Sequence, residues 1–266
     1  MNRITQKFQQ LKKQKQKAFI AFITAGDPSL SVTEQLVLSF EQCGVDLIEL
    51  GVPFSDPLAD GPIIQAASQR ALQKGVTLDK ILNLVARIRK RSQIPLTLMT
   101  YYNPVFHYGE NRFIQKARAA GVDGLIVPDL PPEEAKNFIK TAIKNKLSTV
   151  FFLSPTTTAE RRKIIIRAST GFIYYVSVTG VTGARRQLPP SVMDNVRSAK
   201  RLTRTPVCVG FGVSTPVQVK SIGRVADGVI VGSSIVKEIE RQKGNRHLVQ
   251  NVSRYVARLV KALRAR

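Results

Sequence analysis

The chain has no tryptophan, three methionines, two cysteines and two histidines among its 266 residues. Cys43 and Cys208 each sit in apolar sequence and cannot make a disulfide framework, so buried free thiols in a reducing compartment are expected. His107 falls in a loop and His247 stands alone near the last helix, which leaves no histidine cluster for a metal. No apolar run reaches the roughly 18 residues that a membrane span needs. The N-terminus, MNRITQKFQQLKKQKQK, has no apolar signal core. Instead Ile4, Phe8 and Leu11 fall at helical spacing and predict a short amphipathic helix. No transit sequence is visible, which points to a bacterial cytoplasmic chain or one encoded inside a plastid.

Acid is scarce. Lys and Arg number 41 against 18 Asp and Glu, a net charge of +23. Such a surplus invites nucleic acid as a partner. However, the basic residues are spread along the chain, with denser patches at 7–17, 87–91, 161–167 and 197–204, and no aromatic platform accompanies them. Attraction of an anionic substrate is the milder reading.

Apolar, β-rich runs occur at 18–24, 46–51, 96–101, 123–128, 148–153, 172–177, 206–211 and 227–232. Helical periodicity lies between them, as in 33–43, 78–91, 112–120, 133–145 and 159–168, and again at 247–264. Continuous apolar strands alternating with helices indicate a parallel sheet covered on both faces. Eight such units in 266 residues, with no linker, predict one (β/α)8 barrel over 1–266 with an extra N-terminal helix.

Barrel chemistry sits at the C-terminal ends of the strands. There the segment LIELGVPFSDPLADGPIIQ, residues 47–65, places Glu49 at an apolar strand end and Asp60 in a loop rich in Pro and Gly. A desolvated acid has a raised pKa, whereas a loop acid can stay ionised, so the pair can divide acid and base work. Gly-rich ends at 180–184, 210–214 and 231–234 bring Gly183, Gly212, Gly232 and Ser233 toward one corner. The loops after strands 7 and 8 are the usual phosphate site of such barrels. No strand end carries a lysine for a Schiff base. What remains is a phosphorylated substrate and carboxylate acid–base chemistry without a metal.

The motifs ITAGDP (23–28), IELGVPFSDPLADGP (48–62), YYNP (101–104), VPDLP (127–131), SPTT (154–157), SVTGVTGAR (177–185) and GFGVS (210–214) resemble those of the tryptophan synthase α-subunit family. The resemblance runs in order from about Ile20 to Lys237. It implies a lyase of tryptophan biosynthesis, the retro-aldol cleavage of indole-3-glycerol phosphate to indole and glyceraldehyde 3-phosphate. In that family's pattern Glu49 is the principal acid–base group and Asp60 binds the indole N–H. Phe22, Met99, Tyr174 and Phe211 would line the ring slot, and Thr182 would lie in a loop that closes over the site. The resemblance also implies a β-subunit partner in an α2β2 complex, docked on the 52–60 loop with Pro53 and Asp56 and on the loop around 179–188. Pyridoxal phosphate (PLP) belongs to that partner, and this chain carries no cofactor of its own. The charge of +23 and the basic segment RRQLPPSV after Ala184 depart from the pattern. Three rivals stay open: a free-standing lyase with no β partner, a basic nucleic-acid-binding scaffold on an idle barrel, and another phosphate-binding barrel isomerase.

Overall fold

The computed structural model describes residues 2–176, 190–210 and 212–265. Eight parallel strands run β1 (Ala18–Thr24), β2 (Leu47–Gly51), β3 (Leu96–Met99), β4 (Gly124–Ile126), β5 (Ser148–Val150, resuming as Phe152–Leu153), β6 (Ile173–Val176), β7 (Val207–Gly210) and β8 (Gly228–Val231). β5 is interrupted only at Phe151, and its two pieces are the two ends of the sheet order. The Phe151 carbonyl accepts from Tyr174 N at 3.0 Å, and the Thr149 carbonyl from Thr170 N at 3.0 Å. The sheet therefore closes on itself as the predicted (β/α)8 barrel.

Twelve helices occur among the described residues. They are α1 (Arg3–Lys13), α2 (Leu30–Gln42), α3 (Pro62–Gln73), α4 (Leu78–Arg89), α5 (Tyr102–Tyr108), α6 (Glu110–Ala120), α7 (Lys136–Lys144), α8 (Ala159–Ala168), α9 (Pro190–Arg201), α10 (Pro216–Gly223), α11 (Ser233–Arg241) and α12 (Leu248–Arg264). Boundaries shift where local chemistry intervenes. α2 begins earlier than its periodicity suggests because the Ser29 hydroxyl caps Val32 N at 3.2 Å. α7 begins later because Pro131 opens a turn whose carbonyl accepts from Glu134 N and Ala135 N. α3, α5, α9 and α10 were not anticipated. Their signals are short-range, such as Pro62 in the first turn of α3 and the Thr215–Gln218 capping box of α10.

Two cores follow from strand parity. Phe19, Ala21, Ile23, Ile48 and Leu50 face outward into a core shared with the helices. Ile20, Phe22, Leu47, Met99, Ile126, Val150, Phe172, Tyr174, Cys208 and Ile230 fill the barrel. Helix α1 closes the N-terminal end: Ile4, Phe8 and Leu11 join the inner core, and the Phe8 ring sits 6.1 Å from Phe172. Asn2 caps α1 and donates to Asp123 O at 2.6 Å, while Arg3 pairs with Asp123 at 2.9 Å. Asp123 is only 1% exposed, binds Arg89 at 2.7 Å and accepts from Leu96 N at 3.0 Å. Among the described residues no helix is long and apolar enough to cross a membrane.

Burial makes the Asp123 network costly to break from one side. Asp123→Ala leaves the Arg89 guanidinium without its carboxylate, and unfolding free energy should fall by about 3 kcal/mol or more. Cutting the exposed Arg87–Glu34 pair with Arg87→Ala should change it by less than about 1 kcal/mol. Denaturant midpoints of the two variants check this, and equal losses would contradict it.

Candidate active site

Glu49 is the third residue of β2 and shares the inward parity of Leu47. It is fully buried, and neither carboxyl oxygen has a hydrogen-bond partner among the described residues. Desolvation alone lifts its pKa from 4.5 to about 8. The group therefore carries its proton at neutral pH. Its surroundings are ring-rich: Glu49 is in register with Phe22 on β1 and Thr97 on β3, and its charge is felt by the buried Tyr174 and Cys208. A side chain at Gly51 would meet the Phe22 ring at 2.6 Å, so glycine there leaves that ring beside Glu49.

Asp60 lies in the loop between β2 and α3, partly buried, and burial raises its pKa from 3.8 to about 6. A hydrogen bond donated by Tyr101 opposes that rise. Tyr101 is buried just beyond β3; its hydroxyl also accepts from Ala59 N at 3.0 Å, and its ring packs 5.2 Å from Phe54. One phenol thus holds the Asp60 turn from two sides. Gln65 adds a bond from Nε2 to the Asp60 carbonyl at 2.8 Å. Asp129, after β4, braces the start of α5 by accepting from Tyr102 N at 2.9 Å.

Phe22, Met99 and Tyr174 meet in the inner core, with exposures of 5%, 9% and 6%. Phe152, 4.9 Å from the Tyr174 ring, joins the same wall, as do Ile63, Ile64 and Val176. The corner after β7 and β8 contains Gly212, Gly232 and Ser233. Gly212 has φ +74 with open space where a side chain would point, a conformation that favours glycine. The turn that follows is locked by Gln218 Oε1, which accepts from Ser214 N at 2.9 Å and Thr215 N at 3.1 Å. Ser234 Oγ donates to the Val213 carbonyl at 3.3 Å, joining the two loops. Gly232 is the N-cap of α11 and offers no side-chain cap to the first-turn N–H groups.

Pro53 is buried within the chain, whereas Asp56 is exposed and accepts from Ser55 Oγ at 2.5 Å. Thr182, Gly183 and Phe211 lie outside the described residues. Among the described residues no group of three His, Cys, Asp or Glu side chains could hold a metal. Tyr101 stands at a strand end and Phe152 within a strand, and neither is among the site residues expected from the sequence. Tyr101 acts through a partner 41 positions away, and only strand parity could have singled out Phe152.

A family model described as tryptophan synthase alpha chain matches residues 8–264. The tryptophan synthase alpha chain of Geotalea daltonii is 52% identical over 92% of both chains. That of Geotalea uraniireducens is 50% identical over 100% of this chain and 99% of its own. Among solved structures, tryptophan synthase subunit alpha from Legionella pneumophila superimposes with a TM-score of 0.92 at 37% identity, covering 99% of this chain and 98% of its own. A chain of the tryptophan synthase α2β2 complex from Pyrococcus furiosus does so with a TM-score of 0.86 at 42% identity, covering 92% of this chain and 98% of its own. With a match spanning nearly its whole length, the chain belongs to the tryptophan synthase alpha chain family, lyases that cleave indole-3-glycerol phosphate to indole and glyceraldehyde 3-phosphate in tryptophan biosynthesis.

Proposed function

We propose that Glu49 is the principal acid–base group of this cleavage and that Asp60 is its electrostatic partner. The observation that carries the reading is the buried, unpartnered, protonated Glu49 carboxyl. Glu49 gives its proton to ring carbon C3, and the positive charge that develops spreads to the ring nitrogen. Ionised Asp60 accepts the indole N–H and stabilises that charge. Glu49, now a carboxylate, takes the proton of the hydroxyl on the carbon bonded to C3. The C–O bond becomes C=O as the bond to C3 breaks, and its electron pair restores the aromatic ring. One proton leaves and one returns, so the ring itself is the electron sink and neither a lysine nor a metal enters a step. Phe22, Met99, Tyr174 and Phe211 would hold the ring, and Gly183, Gly212, Gly232 and Ser233 the phosphate. Thr182 would close the site over Asp60.

The same reading gives the chain a β-subunit partner that holds PLP, in an α2β2 assembly, with no cofactor on this chain. It is supported by apolar groups left in water beside the mouth: Leu58 is 93% exposed and Phe106 71% exposed. The Phe106 ring packs 6.1 Å from Tyr102, and Leu58 shares its loop with Phe54, whose ring packs 5.2 Å from Tyr101. Buried Pro53 would shape the docking loop, and exposed Asp56 would touch the partner. Bacterial relatives favour a cytoplasmic setting. Indole release from indole-3-glycerol phosphate, with and without a β subunit, tests the whole; no indole under either condition would reject it.

The acid–base assignment has a pH signature. Asp60 must be ionised and Glu49 protonated, so kcat/KM should rise through about 6 and fall through about 8. The substrate phosphate also titrates near 6, so Asp60→Asn separates the two sources of the lower limb. Glu49→Gln should lower turnover by at least roughly a hundredfold. Stability moves the other way. Glu49 carries no charge penalty below its ordinary value of 4.5, and stability is lost as pH rises from there toward about 8. Glu49→Gln should therefore melt higher than the parent chain at pH 9 and no higher at pH 4. Near-parental turnover in a folded Glu49→Gln ends the assignment.

Asp56→Ala separates docking from chemistry. Indole formation by the isolated chain should stay within about threefold of the parent, while the rise on adding the β subunit shrinks. Loss of the isolated rate with the rise intact would move Asp56 into the active site.

A further inference from the structure

Arg70 lies in the last turn of α3, the helix that starts at Pro62 just after Asp60. Its Nε and Nη2 fork onto the two oxygens of Asp27 at 2.9 and 2.7 Å, and its Nη1 reaches Glu240 at 2.8 Å. Asp27 follows β1 and is 3% exposed. Glu240 belongs to α11, whose first residue is Ser233. A second tie, from the C-cap residue of α3, runs from Lys74 Nζ to the Pro28 carbonyl at 2.5 Å and reaches the same β1 loop. The guanidinium itself is largely buried, with a side-chain exposure of 18%. A forked guanidinium–carboxylate pair fixes direction as well as distance, which a lysine in its place does not.

These contacts join the helix that carries the Asp60 turn to the helix that opens the phosphate corner. We propose that Arg70 is a positioning residue that sets the separation between Asp60 and the α11 N-terminus, and so the span over which one molecule binds by its indole and its phosphate together. The proposal rests on the assignment of those two ends under Proposed function. A substrate with an aromatic head and an anionic tail gains from both contacts only when their spacing matches its own length. A misplacement of about 1 Å can cost as much as a hundredfold in rate.

The test compares separate and joined probes on the full chain: indole, glycerol phosphate, and indole linked to phosphate by an unreactive propyl tail. Arg70→Lys should bind indole and glycerol phosphate within about twofold of the parent, bind the joined probe about tenfold more weakly, and lose about tenfold in kcat. Equal weakening of pieces and joined probe would make Arg70 a prop for one end only and overturn the proposal, as would undiminished binding of the joined probe. Glu240→Gln cuts one arm at a half-exposed carboxylate and keeps the proposal testable if Arg70→Lys does not fold. It should weaken the joined probe about threefold and spare the pieces, and unchanged joined binding would again overturn it. Arg241→Gln, which breaks the exposed pair with Glu238 on the same helix, should alter none of the three; a matching change there would refute a specific role for Arg70. A parent chain that releases no indole, or binds neither piece, removes the proposed function instead.

Discussion

Burying an uncompensated carboxyl is the constraint on which the rest of the barrel turns. A charged carboxylate inside a protein costs several kcal/mol unless it is paired, and an acid without a partner avoids that cost by keeping its proton. Glu49 is in that position: inward by strand parity, without a hydrogen-bond partner among the described residues, and raised to about 8. The state depends on water being kept out. The closed sheet seals the sides, and Ile4, Phe8 and Leu11 of α1 seal the floor. Helix α1 is in turn held by Asn2 and by the Arg3–Asp123–Arg89 network at the far end of the barrel. Residues distant from the mouth therefore help to hold a proton at it.

The second carboxyl is useful because its surroundings differ. Asp60 is raised to only about 6, since the Tyr101 hydroxyl hydrogen-bonds its charged form. Between those two values one acid is protonated and the other is not. The difference comes from where the chain leaves its strand: Glu49 lies within β2, and Asp60 lies beyond it in a turn that still touches solvent. Moving either acid by one residue would place it on the other face of the strand or out of reach of Tyr101.

The barrel was legible in the sequence because both of its signals are local. Apolar runs mark strands and turn residues mark their ends, so all eight strand positions could be read from spacing. Strands apolar on both faces do not show which residues point inward, and Phe22, Met99 and Tyr174 were marked only by the family resemblance. What escaped was pairing across distance. Tyr101 meets Asp60 only after β2 and β3 have aligned, and Arg70 meets Asp27 and Glu240 only after α3 and α11 have packed. Pro53, which the resemblance puts in the docking loop, is buried within the chain, and nothing local in its loop sequence marks that burial. The short helix α5 was missed because its apolar positions are too few to establish a period.

Among the described residues, none of the charges behind the net +23 accounts for the shift of Glu49. A cation close to Glu49 would favour the carboxylate and pull its pKa down, yet burial is the one cause of its shift and acts upward. Arg89, Lys200 and Arg264 lie on helices and make their contacts at the N-terminal face. Separated from the barrel interior by a layer of side chains, such charges are screened by salt over roughly 10 Å. They can still raise the concentration of a phosphorylated molecule near the mouth without disturbing the proton on Glu49. The surface can thus vary in charge while the acid inside keeps its value, because the low-dielectric wall that raises Glu49 also keeps cations from approaching it.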